Sequence, residues 1–579
     1  MSLTRREFLE AMVAASAAGF SMNAWAGEKG SWRPAESDMY DLPKFGNVSL
    51  LHYTDCHAQL KPVHFREPDV NIGVGDMQGK PPVLAGEKML EYFDIEPGTP
   101  LAHAVTHLDF KYAAEKYGRL GGFSHLSTLV QKLRAERPNS LLLDGGDTWQ
   151  GSATSLWTNG QDMVDAQKLL GVDIMVGHWE FTFGDERVME IIENDFKPNN
   201  IDFLAQNVED RDWGDPVFDP YTIREMNGVP VAVIGQAFPY TSVANPDYMF
   251  PDWSFGIRDE HMQRMIDECR EKGAKVVAIL SHNGMVTDME MARRLRDVDI
   301  IMGGHTHDAV PGAMEIENAG GEKTLVTNAG SNGKFLGVMD LDVTDSGIRD
   351  YKFTLLPVFS NLLEADAEME EHIRKVREPY EDKLNEELAV TEGVLYRRGN
   401  FNGTFDEVIM DAMIKEMDAE VALSPGFRWG ISVLPGAPIT FEELMTQTAT
   451  TYSETQRNEM SGEQLKNALE DVANSIFNAN PYHHRGGDMV RTSGIEYTID
   501  PHESMGSRIS DMHINGEPVD PDKSYVVAGW ANVHEPLDTD PVWDVVASYL
   551  REHDTISPGK PYLPKLKNVE GDPGLARSS

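Results

Sequence analysis

Four short apolar runs in the N-terminal half of the chain end in the same way, at glycines and side chains able to hold a cation. Val298-Asp299-Ile300-Ile301-Met302 breaks at Gly303-Gly304 and presents His305 and His307 on the following turn. Residues 49–54 run into Asp55-Cys56-His57, residues 140–144 into Gly145-Gly146-Asp147, and residues 275–280 into Ser281-His282-Asn283-Gly284. Runs of this length and composition predict buried strands. Open α/β sheets collect their ligands beyond the carboxyl ends of such strands, so one site fed by at least four loops is predicted.

The spacing between these runs predicts βαβ units. After Gly121-Gly122 a helix is expected over residues 123–134, with Leu126, Leu129, Val130 and Leu133 at helical spacing, and a second over 162–170 before a strand at 173–180. Further strands are expected at 203–207, 229–235 and 324–328, and an antiparallel pair near 337–343 and 351–356. Residues 58–118 carry Pro62, Pro68, the pair Pro81-Pro82 and a glycine-rich turn, and are too long for a simple βα loop. They form an insertion in a catalytic domain spanning 46–360. Residues 363–388, rich in Glu, Lys and Arg, predict a solvated linker helix. A second domain is expected over 390–563, with a helix at 405–417, and a disordered tail over 564–579.

Composition narrows the partners. Among 579 residues, 94 are acidic and 51 basic, a formal charge of -43, which argues against nucleic acid or an anionic membrane as partner, because both require a positive footprint. The first residues predict a leader. Thr4-Arg5-Arg6-Glu7-Phe8-Leu9 is a twin-arginine pattern, followed by a mildly apolar run and a small-x-small site at Ala24-Trp25-Ala26, so export of the folded protein to the periplasm with cleavage after Ala26 is expected. No later stretch supplies the ~20 apolar residues of a membrane span. Two cysteines, Cys56 and Cys269, make a poor disulfide framework, and Cys56 is expected to be a packed thiol pointing away from the ligand side of its loop.

Any one of these histidines alone would more often be a packed or surface residue. Together, Asp55-x-His57, Asp147, His178 after Gly177, His282 and His305-x-His307 each follow an apolar run, and mixed carboxylates and imidazoles are the donors of a hydrolytic pair of divalent ions.

This ordered set, with Gly177-x-x-Glu180, resembles the dinuclear metallophosphoesterases of the 5'-nucleotidase branch. The resemblance implies an α/β fold: a four-layer αββα catalytic domain followed by an α+β domain that binds substrate. It also implies that Asp55, His57, Asp147 and His307 hold one metal, and Asp147, His178, His282 and His305 the other. The chain departs from the family at one motif. Where the family has Gly-Asn-His-Glu-Phe-Asp, this sequence has Gly177-His178-Trp179-Glu180-Phe181-Thr182. The histidine and aspartate that assist phosphate ester cleavage are therefore Trp179 and Thr182, and a leaving group better than an alkoxide is expected.

With that variant, the segments 65–77, 106–110 and 117–123 resemble the SoxB family of periplasmic thiosulfohydrolases. What this implies is two Mn2+ ions, and hydrolysis of a cysteine S-thiosulfonate on the carrier protein SoxYZ by attack of a metal-bound hydroxide, releasing sulfate. Asp147 and His178 are then catalytic as well as metal-binding. Arg428, in a turn-rich segment like the one from which the nucleotidases direct an arginine at phosphate, is expected to be catalytic and to bind the sulfonate oxygens. Trp179 and Arg485 are further substrate-binding candidates. Arg491 is as readily an inter-domain ion-pair residue. A monomer is expected. The alternatives are a periplasmic 5'-nucleotidase-type phosphoesterase, opposed by Trp179 and Thr182, and a metal-stabilised carrier-binding protein without chemistry, opposed by a ligand set unlike the cysteine-rich cage of a structural site.

Overall fold

The computed structural model describes residues 38–569, so the leader predicted over residues 1–26 lies outside the described residues. The catalytic domain is built on two six-stranded sheets. In the first, Gly347–Pro357, Phe335–Thr344, Val48–Tyr53, Leu141–Asp144, Ile174–Met175 and Asp202–Phe203 lie side by side in that order. In the second the order is Met314–Glu317, Lys323–Asn328, Ile300–Gly303, Val276–Ser281, Val229–Gln236 and Tyr221–Met226.

The apolar runs are continuous because both of their faces are buried. Val48 and Leu50 pack with Leu141, Leu143, Val276 and Ile300 between the sheets, whereas Leu51 and Tyr53 face the opposite way, onto the helix Phe123–Glu136 through Phe123 and Leu126. On the far side, Val277 and Ile279 meet Met262 and Ile266 of the helix Asp259–Glu271. Helix, sheet, sheet, helix is the four-layer arrangement expected. Parallel pairing of Val48–Tyr53 with Leu141–Asp144, and of Ile300–Gly303 with Val276–Ser281, brings the ligand-bearing ends to one edge.

Several predicted boundaries shift for identifiable reasons. The strand expected at 173–180 is only Ile174–Met175, because Trp179–Phe183 coils into a 3-10 turn, and that at 203–207 shrinks to Asp202–Phe203. The linker is not one helix: Ala367–Arg377 ends before a turn containing Pro379, and a second short helix, Glu381–Leu384, follows. Proline lacks the amide hydrogen that an α-helix interior needs. Nor is the linker wholly solvated, since Met369, Ile373 and Arg377 are buried.

The second domain opens with the strand Glu387–Thr391, contains the helix Thr404–Met417, and continues past residue 563. Lys565–Leu566 pairs with Thr498–Ile499, and Val569 is buried, so the expected tail is ordered through 569. Both cysteines are free and buried. Among the described residues no helix is long and apolar enough to cross a membrane.

One buried ion pair ties the helical layer to the first sheet. Arg137, just past the helix Phe123–Glu136, reaches Asp340 through Nε at 3.0 Å and Nη2 at 2.9 Å, and Nη2 also donates to the Leu42 carbonyl. Replacing Arg137 with leucine leaves the Asp340 carboxylate buried without its cation. We expect a loss of about 3 kcal/mol, read as a lower urea midpoint for the catalytic domain; an unchanged midpoint would show that the Ser49 hydroxyl and the Phe45 amide satisfy the carboxylate without it.

Candidate metal centre

All seven predicted donors converge and are buried. Asp147, His178, His282 and His305 form one group and Asp55, His57, Asp147 and His307 another, with the donor atoms of each group within 4.8 Å of one another. Asp147 is common to both. The loops reach this geometry through unfavourable backbone: Asp55, His57, Asp147, His305 and His307 all have positive φ, between 44° and 68°, at about 1–3 kcal/mol each. Gly304 is needed for a different reason, since a Cβ there would come within 2.4 Å of Thr54 Oγ1 and 3.0 Å of Asp55 Oδ2.

The donors suit a pair of cations. His57 Nδ1 lies 3.2 Å from the Gln150 carbonyl, which holds its proton there and leaves Nε2 a bare donor, 3.1 Å from His307 Nε2. His282 Nδ1 is likewise held by the Gly145 carbonyl at 2.6 Å, and its Nε2 faces Asp147 Oδ2 at 3.0 Å. Such carbonyl contacts are how proteins orient metal-binding imidazoles. Buried His178 Nε2, His305 Nε2 and His307 Nδ1 have no hydrogen-bond partner.

Electrostatics keep most of these donors ligand-competent. Burial, then the neighbouring His178 and Arg428, push His305 well below the usual imidazole range; burial, then Arg398 and Arg428, do the same to His307. Burial opposes ionisation of Asp147, but His178 and His282 beside it hold its carboxyl well below the usual range. For His282, burial is outweighed by the Asp147 and Asp55 carboxylates, which push it up to about 10. That is the response of an imidazole wedged between two buried anions, the place a divalent cation fills more effectively.

Glu180 contributes no donor, yet it organises the centre. Its carboxylate accepts the backbone N–H groups of Thr148 at 2.6 Å, His178 at 2.9 Å, and Asp147 and Trp149 at 3.2 Å. The Gly-x-x-Glu spacing marked this residue in sequence, but not its role.

The remaining predicted residues divide. Trp179 has its indole in an aromatic wall, stacked on Tyr452 at 5.5 Å and edge-on to Trp429 at 4.9 Å; Trp429 in turn stacks on His57 at 5.0 Å. The Thr182 hydroxyl donates to the Trp179 carbonyl at 2.8 Å. Arg428 donates from Nη1 to the His305 carbonyl at 3.3 Å, and its Nε lies 3.5 Å from Asp488 Oδ1. Arg485 does not line the cleft next to His305, although its neighbours His484 and Gly486 do. Arg491 is fully buried and bonded to the Gly399 and Phe401 carbonyls and Asp488, an ion pair within the second domain rather than the inter-domain one expected.

Sequence reasoning missed Arg398. It donates to the Thr306 carbonyl at 2.9 Å and to Asp488 Oδ2 at 3.0 Å, and with Arg428 lines a cleft of about 70 Å³ next to His305. Nothing in Arg397-Arg398-Gly399 distinguishes it locally; only the domain contact brings it here.

Comparisons with known proteins identify the family and the fold. The 5'-nucleotidase C-terminal domain family matches residues 388–535. A solved structure of Thermus thermophilus SoxB, described as a sulfate thiohydrolase in complex with glycerol, is 35% identical and covers 91% of this chain and 98% of its own, with a TM-score of 0.87. The chain belongs to the SoxB family, within the 5'-nucleotidase branch of the metallophosphoesterases. More distant relatives share the fold: a 5'-nucleotidase precursor, also from Thermus thermophilus, superposes with a TM-score of 0.72 at 21% identity over 90% of this chain and 99% of its own. Rat 5'-nucleotidase is 25% identical over 474 residues, 74% of this chain and 77% of its own.

If the two donor groups each hold an ion, His307→Ala should lower the metal content of desalted protein from two equivalents to about one, and Asp147→Ala to below one, by plasma mass spectrometry. Full retention in both would place the ions elsewhere.

Proposed function

We propose that this protein is a periplasmic thiosulfohydrolase, exported through the twin-arginine route, that releases sulfate from a cysteine S-thiosulfonate carried by SoxYZ, with two manganese ions as cofactor. Water supplies the oxygen. A new O–S bond forms at the sulfonate sulfur, the S–S bond breaks, its electron pair leaves with the carrier persulfide, and two protons are released with sulfate.

Two divalent ions held by the seven donors would supply Lewis acidity and an acidified water. The chain's own groups do the rest. Arg428 and Arg398 set guanidinium N–H groups along the cleft beside His305, where planar forks suit sulfonate oxygens. Asp488, between them, fixes both. The aromatic wall of Trp179, Trp429 and Tyr452 excludes water from the other side.

The observation that carries this reading is at positions 179 and 182. An indole in an aromatic wall and a hydroxyl committed to a backbone carbonyl supply no proton to a leaving group. An alkoxide needs that proton; a persulfide, far less basic, does not. Membership of the SoxB family supports the same conclusion. The similarity to 5'-nucleotidases favours phosphate esters instead, so both substrates belong in one test.

Manganese-loaded protein should release sulfate from carrier S-thiosulfonate and negligible phosphate from AMP or p-nitrophenyl phosphate; the reverse pattern would make it a divergent nucleotidase. Arg428→Ala should lower kcat about 100-fold, the loss typical of one oxyanion donor, with both ions retained. Trp179→His should not raise sulfate release, whereas a large gain would mean that the native reaction does require an acid at this position.

A further inference from the structure

Two-domain proteins move about their interface unless it is extensive and apolar. Here the insertion crosses that interface and becomes part of both cores. It leaves the catalytic domain at Val63, whose backbone pairs with Leu120 in both directions at 2.8 and 2.9 Å. Glu67 is then held by the buried Lys334 of the catalytic domain. Beyond it, Val70, Ile72 and Val74 are buried in the core of the second domain with Phe401, Leu469 and Phe477. Met77 re-enters the catalytic core against the helix Asp259–Glu271.

Polar clips fix the register of this crossing. The Ser432 amide donates to the His64 carbonyl at 2.7 Å, the Arg66 amide to Ser432 Oγ at 2.9 Å, the Asn400 amide to the Val70 carbonyl at 3.1 Å, and the Ile72 amide to Asn400 Oδ1 at 2.6 Å. The Arg66 guanidinium lies 4.1 Å over the Tyr396 ring. The second domain makes a return contact, with Tyr482 donating to Asp259 at 2.8 Å beneath Arg294. Asn71 and Ile72 also form a wall of the cleft that holds Arg398 and Arg428.

We propose that residues 63–77 are a strap that fixes the two domains in one arrangement and thereby sets substrate width. Hinge opening would have to draw Val70, Ile72 and Val74 out of the second domain's core. The cleft therefore stays near 70 Å³, against roughly 300–1,000 Å³ for pockets that enclose a drug-sized ligand. It admits the slim end of a thiosulfonate and excludes a nucleoside monophosphate. This deepens the thiosulfohydrolase reading by adding a steric basis for substrate choice to the missing acid.

The test uses the full metal-loaded chain with dyes on Ser346→Cys and Ser504→Cys, both exposed and one in each domain; the native cysteines are buried and do not compete. Single-molecule energy transfer should show one population, unmoved by saturating sulfate or thiosulfate, and calorimetry should show no AMP binding. A second population, a ligand-induced shift or AMP binding to the intact strap would overturn the proposal. The combination Val70→Ala, Ile72→Ala and Val74→Ala should add a second population and bring AMP affinity up at least 10-fold; one population with AMP still excluded would also overturn it. If that variant does not fold, Val70→Ala with Val74→Ala, which leaves Ile72 in place, is judged by the same two outcomes. Neither readout requires turnover, so the strap stands or falls separately from sulfate release.

Discussion

The Asp147 carboxylate belongs to both donor groups, and everything else in the centre is arranged around keeping it in place. Its loop follows the strand Leu141–Asp144, and the His178 loop follows the neighbouring strand Ile174–Met175. Glu180 joins the two by accepting amides from each, so two loops with unfavourable backbone behave as one rigid body. Four hydrogen bonds to one buried acceptor help to offset the strain at Asp147. Behind it, Asp144 ties Tyr53, Thr148 and Gln167 together, extending the same rigid body into the sheet.

The donors were legible because of what precedes them. An apolar run buried on both faces has no freedom to end anywhere but at the sheet edge, so a histidine or aspartate just past it must lie with the others. Gly303-Gly304 added a second signal: a residue with a side chain at 304 would collide with Thr54 and Asp55. The αββα layering followed from the family resemblance. Strand ends were less legible. Glu180 takes the His178 amide and Asp147 the Trp179 amide, where periodicity alone predicted continued pairing. The two-residue strand Lys565–Leu566 is too short to leave any period, and the break at Pro379 was hidden in an otherwise helical run of charges.

Residues supplied across the domain interface were the hardest to find. Arg398, Trp429 and Tyr452 acquire their roles only by tertiary contact, and no local pattern separates them from ordinary packing residues. Arg428, singled out because it lies in a turn segment like that of the nucleotidases, lines the cleft beside His305, whereas Arg485 does not. Arg491 shows why a buried arginine is not by itself a ligand group. Its guanidinium is committed to backbone carbonyls and to Asp488, and it serves to orient the carboxylate that Arg398 and Arg428 share.

On the proposed function, the aromatic wall makes the second domain part of the chemistry. Trp429 comes from that domain and stacks on His57, while Trp179 comes from the catalytic domain and meets both Trp429 and Tyr452. A wall of this kind lowers the local dielectric on one side of the centre, and a guanidinium acting on an oxyanion gains strength as the dielectric falls. A proton donor in the same position would need solvation or partners of its own, which the wall denies it. Under the proposed reaction, the exchange of an acid for an indole trades leaving-group assistance for stronger binding of developing charge, a trade that would favour a substrate whose leaving group departs as an anion without help.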